Sequence, residues 1–219
     1  MMTYQIAIDG PAGAGKSTIA KAVAKKMSYI YVDTGAMYRA MALYLLRRGI
    51  GADETEKISE ASRDANITIA YKDGLQQVLL NGENVTGLLR TEEVGNMASA
   101  SSVNKDVRLK LVELQRALAE RENVVMDGRD IGTYVLPKAN VKVYLTASSA
   151  CRAKRRFDEL KEKGETCDLA AIEADIIERD KRDMEREFAP LRQAEDAVYV
   201  DSSDMTIDEV IAAITDLIH

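Results

Sequence analysis

A chain of 219 residues with 46% hydrophobic residues can pack one α/β domain with insertions, or two small domains sharing a core, which excludes wholesale disorder. Its formal net charge of -6 speaks against a general nucleic-acid binder, which needs a basic surface. The only histidine is the last residue, His219, so histidine triads, histidine general bases and multi-histidine metal sites are excluded.

The opening MMTYQIAIDG has no basic segment followed by a long apolar one, so no signal peptide is read there. No later run approaches the ~18 apolar residues of a membrane helix. The expectation is a soluble cytoplasmic protein without membrane or nucleic-acid partners. Tyr4 to Ile8 reads as a buried parallel strand, followed by a glycine-rich turn. A helix follows, with apolar positions Ile19, Ala20, Val23, Ala24 and Met27. Tyr29 to Val32 reads as a second strand. It passes through Asp33-Thr34-Gly35 into a second helix carrying Met37, Met41, Leu45 and Leu46, which Gly49 stops. A β-α-β-α opening signals a parallel sheet.

Between Asn66 and Thr86 the period changes. Ile67, Ile69 and Tyr71 alternate, Asp73-Gly74 turns, Val78 to Leu80 is apolar, and Asn81-Gly82 turns again, predicting a small antiparallel insertion with two hairpin turns. A helix is predicted from about Asn104 to Glu122 through Val107, Leu111, Leu114 and Leu118. Strands follow at Val124 to Met126 and Val141 to Leu145. Two helical segments come next, at Ser149 to Lys163 and Asp168 to Phe188, with Pro190 ending the second. Val198 to Val200 is a last short strand. The final helix opens on Thr206 and Glu209 in capping-box spacing and is expected to bury Ile207, Val210, Ile211, Ile214 and Leu217. Cys151 and Cys167 make no disulfide framework; they read as ordinary thiols in a reducing compartment.

Residues 10 to 17 (Gly10, Pro11, Ala12, Gly13, Ala14, Gly15, Lys16, Ser17) match the G-x-x-x-x-G-K-[ST] phosphate loop between a strand and a helix. The glycines let backbone N–H groups point at phosphate oxygens, and the helix adds its positive end. Lys16 is placed to reach the β- and γ-phosphates, and the Ser17 hydroxyl to hold Mg²⁺. A guanine-reading N-K-x-D motif is absent: Asn104-Lys105-Asp106 is one position off and opens a helix. Asp127-Gly128-Arg129-Asp130 follows a strand directly, where ligands of parallel sheets bind. It reads either as a polar turn with an internal pair or as a phosphate-binding Arg129 flanked by orienting carboxylates.

The helix from Asp168 is the most informative element. Its apolar stripe of Leu169, Ile172 and Ile176 continues, at about 3.6 residues per turn, through Arg179, Asp183 and Arg186. Charges in line with a core stripe must be paired or face an anionic ligand, and the second reading is favoured. Arg152, Arg155 and Arg156 share one side of the preceding helix, as an exposed basic face or as a mobile lid whose arginines approach phosphates. Thr34 can cap the second helix, and Arg39 lies one turn into it, within reach of a second phosphate. Arg90, Ser99 and Arg108 mean little from pattern alone.

The combination GPAGAGKST, DTGAMYRA, LRTEEVGNMAS, DGRDIGT and IIERDKRDMEREFAPL, collinear from about residue 4 to residue 215, resembles the bacterial cytidylate kinase family. The insertion at 66 to 86 resembles that family's extended nucleotide-binding region. The resemblance implies a P-loop NTPase-type three-layer α/β/α fold with a five-stranded parallel sheet. It also implies a core of residues 1–33, 87–150 and 189–219, an NMP-binding region at 34–86, and a lid with flanking arginine-rich helices at 151–188. The implied activity moves the γ-phosphate of ATP onto CMP or dCMP with Mg²⁺. By position, residues 10–17, Thr18 and Arg155 resemble the ATP site. Ser99, Arg108 and Asp130 resemble residues on the cytosine ring, Arg179 and Asp183 those on the sugar. Arg39, Arg129 and Arg186 resemble those on the acceptor phosphate, with Tyr38, Thr34 and Asp127 nearby; Lys16, Arg129 and Arg186 carry the catalytic role. Thr34 stands where some members have serine and keeps the hydroxyl. Other small-molecule phosphate-loop kinases, such as one for shikimate, a regulatory nucleotide switch and an RNA-binding P-loop protein are the alternatives. A monomer is expected because no spare apolar helix face stands out.

Overall fold

The computed structural model describes residues 3–218, so His219 lies outside the described residues. Strand β1 (Gln5–Asp9) leads through the glycine-rich turn into helix α1 (Lys16–Met27). Strand β2 (Ile30–Asp33) leads directly into α2 (Thr34–Arg47), followed by α3 (Thr55–Asp64). The insertion comprises β3 (Ile67–Lys72), β4 (Leu75–Leu80) and β5 (Glu83–Asn84). Helices α4 (Glu92–Ser101) and α5 (Lys105–Ala119) come next. Strand β6 (Val124–Gly128), a π-helical turn (Ile131–Val135) and strand β7 (Val141–Thr146) precede α6 (Ser149–Glu162) and α7 (Leu169–Glu185). Strand β8 (Val198–Asp201) and α8 (Ile207–Thr215) complete the order.

The principal sheet has five strands in the order β2-β6-β1-β7-β8, parallel, with helices on both sides in a three-layer α/β/α arrangement. Ile6, Ala7 and Ile8 of β1 and Val124, Val125 and Met126 of β6 are wholly buried, because central parallel strands are covered on both faces. On the edge strand, Val198 and Tyr199 are exposed. The predicted strands extend one or two residues further than their apolar runs, and the added residues include Asp9, Asp33, Asp127 and Asp201. Carboxylates thus stand at the carboxyl ends of four strands.

The chain separates into two compact units. One contains Tyr4–Tyr29 and everything from Val124 onward; the other contains Ile30–Asn123 with Thr3. In the second of these, β3, β4 and β5 form the antiparallel sheet predicted for the insertion. Asp73 and Gly74 have φ of 53° and 73°, and Asn81 and Gly82 have 49° and 84°. Both pairs occupy the left-handed region that two-residue hairpin turns require.

Several expectations need correction. Helices α3 and α4 were not foreseen, because they bury few and small residues: Ile58, Ala61 and Ser62 in α3, Val94, Met97, Ala98 and Ser101 in α4. Helix α5 stops at Ala119, and its buried face runs through Val107, Leu111, Gln115 and Ala119, not through Leu114 and Leu118. Helix α7 stops at Glu185 rather than Phe188, since Arg186 turns extended (ψ 141°) and Ala189 adopts a left-handed φ of 49°. Leu169 and Ile207, read as core positions, are exposed. Each is the first residue of its helix, ahead of the first buried position, Ile176 in α7 and Val210 in α8. Thr34 does not cap α2: the Asp33 carboxylate accepts from Ala36 N at 2.9 Å, leaving Thr34 buried in the first turn. No helix among the described residues is long and apolar enough to cross a membrane.

Asn104, the leading residue of the failed guanine motif, caps α5. Its Oδ1 accepts from Asp106 N and Val107 N at 3.0 and 3.2 Å. Its Nδ2 donates to Thr55 O and Ser59 Oγ on α3 at 3.2 and 2.9 Å. Asn104→Ala is expected to lower unfolding free energy by about 1–2 kcal/mol, as for other lost caps. A urea denaturation curve checks it; an unchanged midpoint would contradict the cap.

Candidate active site

In the Tyr4–Tyr29 and Val124-onward unit, the phosphate loop joins β1 to α1. Gly10 (φ 151°) is obligatory there: a Cβ would stand 1.9 Å from Leu145 O. Gly15 caps α1 with φ 82°, again a glycine conformation. Ala14 and Lys16 are buried, while Gly13 and Thr18 are exposed. Lys16 Nζ donates to Pro11 O at 2.7 Å. Burial and the neighbouring Arg129 pull the Lys16 pKa well down, with Asp127, Asp9 and Asp183 opposing. Ser17 Oγ donates to Asp127 Oδ2 at 2.8 Å, bringing a hydroxyl and a carboxylate together at the ends of α1 and β6.

Arg129 follows β6, and its Nε donates to Asp183 Oδ2 at 2.8 Å. Arg186 Nη2 donates to Asp130 Oδ1 at 3.3 Å, and its Nη1 lies 3.8 Å from Asp183 Oδ1. Asp183 is therefore held between two guanidinium groups. Although burial alone would raise its pKa, Arg129, Arg186 and Arg179 outweigh this and hold the carboxyl below its usual range. For Arg129 the same balance runs in reverse: burial lowers, but Asp183, Asp127 and Asp180 win and raise it. Arg186 is anchored further by donating from Nε and Nη2 to Ala189 O at 2.8 and 2.5 Å. The structure thus brings Asp127, Arg129, Asp130, Arg179, Asp183 and Arg186 into one electrostatically linked group.

The three arginines of α6 do not act as a set. Arg152 is buried and paired with Asp180 at 2.6 Å, so for this residue the exposed face is corrected. Arg155 donates from Nη2 and Nη1 to Ser202 O and Oγ, at 2.7 and 3.3 Å, in the turn after β8. Arg156 forms an exposed pair with Glu159.

In the Ile30–Asn123 unit the remaining candidates gather around α2. The Arg39 guanidinium lies over Gly35, where a Cβ would meet its Nη1 at 3.4 Å. Arg108, 1% exposed, sits with its guanidinium 5.3 Å from the Tyr38 ring centre, a cation–π distance. Its Nη1 donates to Ser102 O at 3.2 Å, and Ser102 Oγ donates to Ser99 O at 2.9 Å. Tyr38, Arg108 and the Ser99 turn thus form one connected patch. Arg90 faces Asp33 at 3.8 Å from an exposed position.

Asp9 was not singled out by pattern. Its Oδ1 and Oδ2 accept from Ile131 N and Gly132 N at 2.8 and 2.7 Å, fixing the turn that carries Asp130. Burial is the main reason its pKa rises to about 7, with the Asp130 charge adding and the two backbone bonds and Lys16 opposing. The one available signal was a carboxylate at a strand's carboxyl end, directly before the loop.

A carboxyl raised on folding from 3.8 to about 7 binds more protons folded than unfolded between those values, so its contribution falls as pH rises through them. Relative to Asp9→Asn, the parent's unfolding free energy is expected to decline from about pH 4 to about pH 7 and then level. Parallel denaturation curves across that range test it; a constant difference would contradict the assignment.

The family model "Cytidylate kinase" matches residues 6–219. The cytidylate kinase of Caldicellulosiruptor saccharolyticus is 52% identical over 219 residues, covering 100% of this chain and 97% of that protein. That of Bacillus subtilis is 48% identical over 215 residues, 98% of this chain and 96% of the relative. Among solved structures, an uncharacterized protein from Eubacterium ventriosum superposes with a TM-score of 0.52 at 15% identity, over 99% of this chain and 98% of that one, a likeness of fold alone. With collinear identity near one half along the whole chain and this grouping of arginines and carboxylates, the chain belongs to the cytidylate kinase family.

Proposed function

We infer that this chain transfers the γ-phosphate of ATP to CMP or dCMP, giving CDP or dCDP and ADP. The observation that carries the reading is the Arg129–Asp183–Arg186–Asp130 group, buried except for part of Arg129, in the same unit as the phosphate loop, in a chain of the cytidylate kinase family. Phosphoryl transfer depends on in-line placement and on neutralising charge. The acceptor is a phosphate monoester whose second pKa of ~6 leaves it dianionic near neutrality, so no general base is needed and the lack of an internal histidine is no obstacle.

The donor is assigned to residues 10–18, with Lys16 on the β- and γ-phosphates and Arg155 at the nucleotide. Arg39, Arg129 and Arg186 are assigned to the acceptor phosphate with Tyr38 and Thr34 beside them, Arg179 and Asp183 to the sugar, and Ser99, Arg108 and Asp130 to the cytosine ring. Support comes from chemistry: guanidinium groups already oriented by carboxylates lose little freedom on meeting a phosphate, and an ionised Asp183 suits hydroxyl donors. The adjacent Ser17 hydroxyl and Asp127 carboxylate form a hard oxygen pair suited to Mg²⁺. Among the described residues no group of three or more Asp, Glu, His or Cys is placed to hold a metal, so the two oxygens fit an ion that also takes phosphate ligands. When bound, Mg²⁺ supplies charge neutralisation at the donor phosphates. A core, an NMP-binding region and a lid at the boundaries given above, a monomeric state and a cytoplasmic location complete the proposal.

A panel of acceptors with ATP and Mg²⁺ in a coupled ADP assay tests the reading: CMP and dCMP are expected to turn over fastest, and faster turnover of AMP, UMP or shikimate would overturn it. Lys16→Ala should reduce kcat by roughly 10²–10³-fold, the scale of one lost charge-stabilising donor; an unchanged kcat removes the lysine from the mechanism. Arg179→Ala should raise the KM for CMP about tenfold or more and that for ATP far less, in the same steady-state assay. Equal effects on both substrates would place α7 away from the acceptor.

A further inference from the structure

Ala12, in the outer arm of the phosphate loop, has both backbone groups engaged by one buried ion pair. Its N–H donates to Asp180 Oδ1 at 3.0 Å, and its carbonyl accepts from Arg152 Nη1 at 2.8 Å. The same Nη1 donates to Asp180 Oδ2 at 2.6 Å, and Arg152 Nε donates to Ala147 O at 2.8 Å. The two side chains are only 7% and 10% exposed. Arg152 comes from α6 and Asp180 from α7, so the fork joins the two helices and the loop at a single residue.

Satisfying the amide and the carbonyl of one residue fixes the peptide planes on both sides of it. The next residue, Gly13 (φ 74°), lies against Arg152, whose Cβ would stand 3.4 Å from a Cβ placed there. Gly13 through Lys16 are the residues whose N–H groups form the anion cradle. A cradle held in shape before its ligand arrives loses less freedom on binding.

We propose that Arg152 and Asp180 are positioning residues that hold the phosphate loop in its ATP-binding form from outside, without touching the nucleotide. The proposal rests on the reading that the loop takes the donor phosphates. Breaking the fork lets the outer arm of the loop relax, and the cost of ordering it falls on donor binding. The acceptor candidates Arg129, Arg186 and Asp130 hydrogen-bond to other partners; of the fork, only the Asp180 charge bears on one of them, Arg129, so acceptor binding is affected less than donor binding.

The test is titration calorimetry of the full chain with a non-hydrolysable ATP analogue plus Mg²⁺ and, separately, with CMP, for Asp180→Asn and Arg152→Lys. Asparagine still accepts from Ala12 N but loses the charge. Lysine keeps the charge but, as a point donor, cannot span Ala147 O and Ala12 O as a planar fork does. Each variant is expected to weaken the ATP analogue about tenfold; Arg152→Lys, which keeps the Asp180 charge, leaves CMP within twofold, and Asp180→Asn weakens CMP less than the analogue, with a melting curve confirming a folded chain. A loss on the analogue no larger than that on CMP, in a folded variant, overturns the proposal. Should Asp180→Asn fail to fold, Arg152→Lys decides alone, since it lies on α6 away from the acceptor candidates of α7. If the parent chain binds the analogue but not CMP, the kinase reading fails while the fork remains testable through the analogue.

Discussion

Asp183 lies between Arg129 and Arg186, and that arrangement sets the terms for the half of the molecule around the phosphate loop. An isolated buried charge costs more than a fold can absorb, so buried guanidinium groups persist only where carboxylates meet them in hydrogen-bonding geometry. Here the pairing is 2.8 Å for Arg129 and 3.3 Å from Arg186 to Asp130, with Asp183 kept ionised by its neighbours. The carboxylates thereby fix the direction of both arginines, Arg129 through its Nε and Arg186 through its Nη2.

The phosphate loop obeys a related constraint. Irregular backbone buried near a ligand site must find partners for its polar groups. The chain supplies them from side chains: the Arg152–Asp180 fork at Ala12 and Lys16 at Pro11 O. Asp9, one residue before the loop, does the same for Ile131 and Gly132. That links the end of β1 to the turn carrying Asp130, so strand end, loop and the Asp130 carboxylate share one framework. Gly10 is forced by the approach of Leu145 O, which ties the loop to β7 as well.

The other unit uses softer devices. Asp33 caps α2 through Ala36 N, and its own backbone N–H and carbonyl bond to the Gln76 side chain at 2.8 and 3.3 Å. The hairpin insertion thereby reaches the start of the helix that carries Tyr38 and Arg39. Arg108 is buried against the Tyr38 face and the Ser102 carbonyl, so its side chain is fixed by an aromatic ring and a backbone oxygen together.

Much of this was legible in residue order because the signals are local. Period-2 and helical spacing marked most strands and helices, Asp-Gly and Asn-Gly marked the hairpin turns, Thr206 with Glu209 marked the cap of α8, and the glycine spacing marked the phosphate loop. The charged continuation of the α7 stripe flagged Asp183 and Arg186, because a helical face keeps its direction whatever residues occupy it. Asp9 and Asp180 escaped notice, and Arg152 stood out only as part of an α6 face, because their partners lie 122 residues away for Ile131, 140 for Ala12 from Arg152 and 28 for the ion pair itself. Helices α3 and α4 escaped because their buried faces are too short or too small to show a period. By itself, then, the residue order determined the kinds of element, their turns and the phosphate-loop chemistry, all of which depend on neighbours within a few positions. Which charges are buried against which is a question of distant segments meeting in space, where the cost of an unpaired charge admits few solutions, and only the tertiary structure decided it.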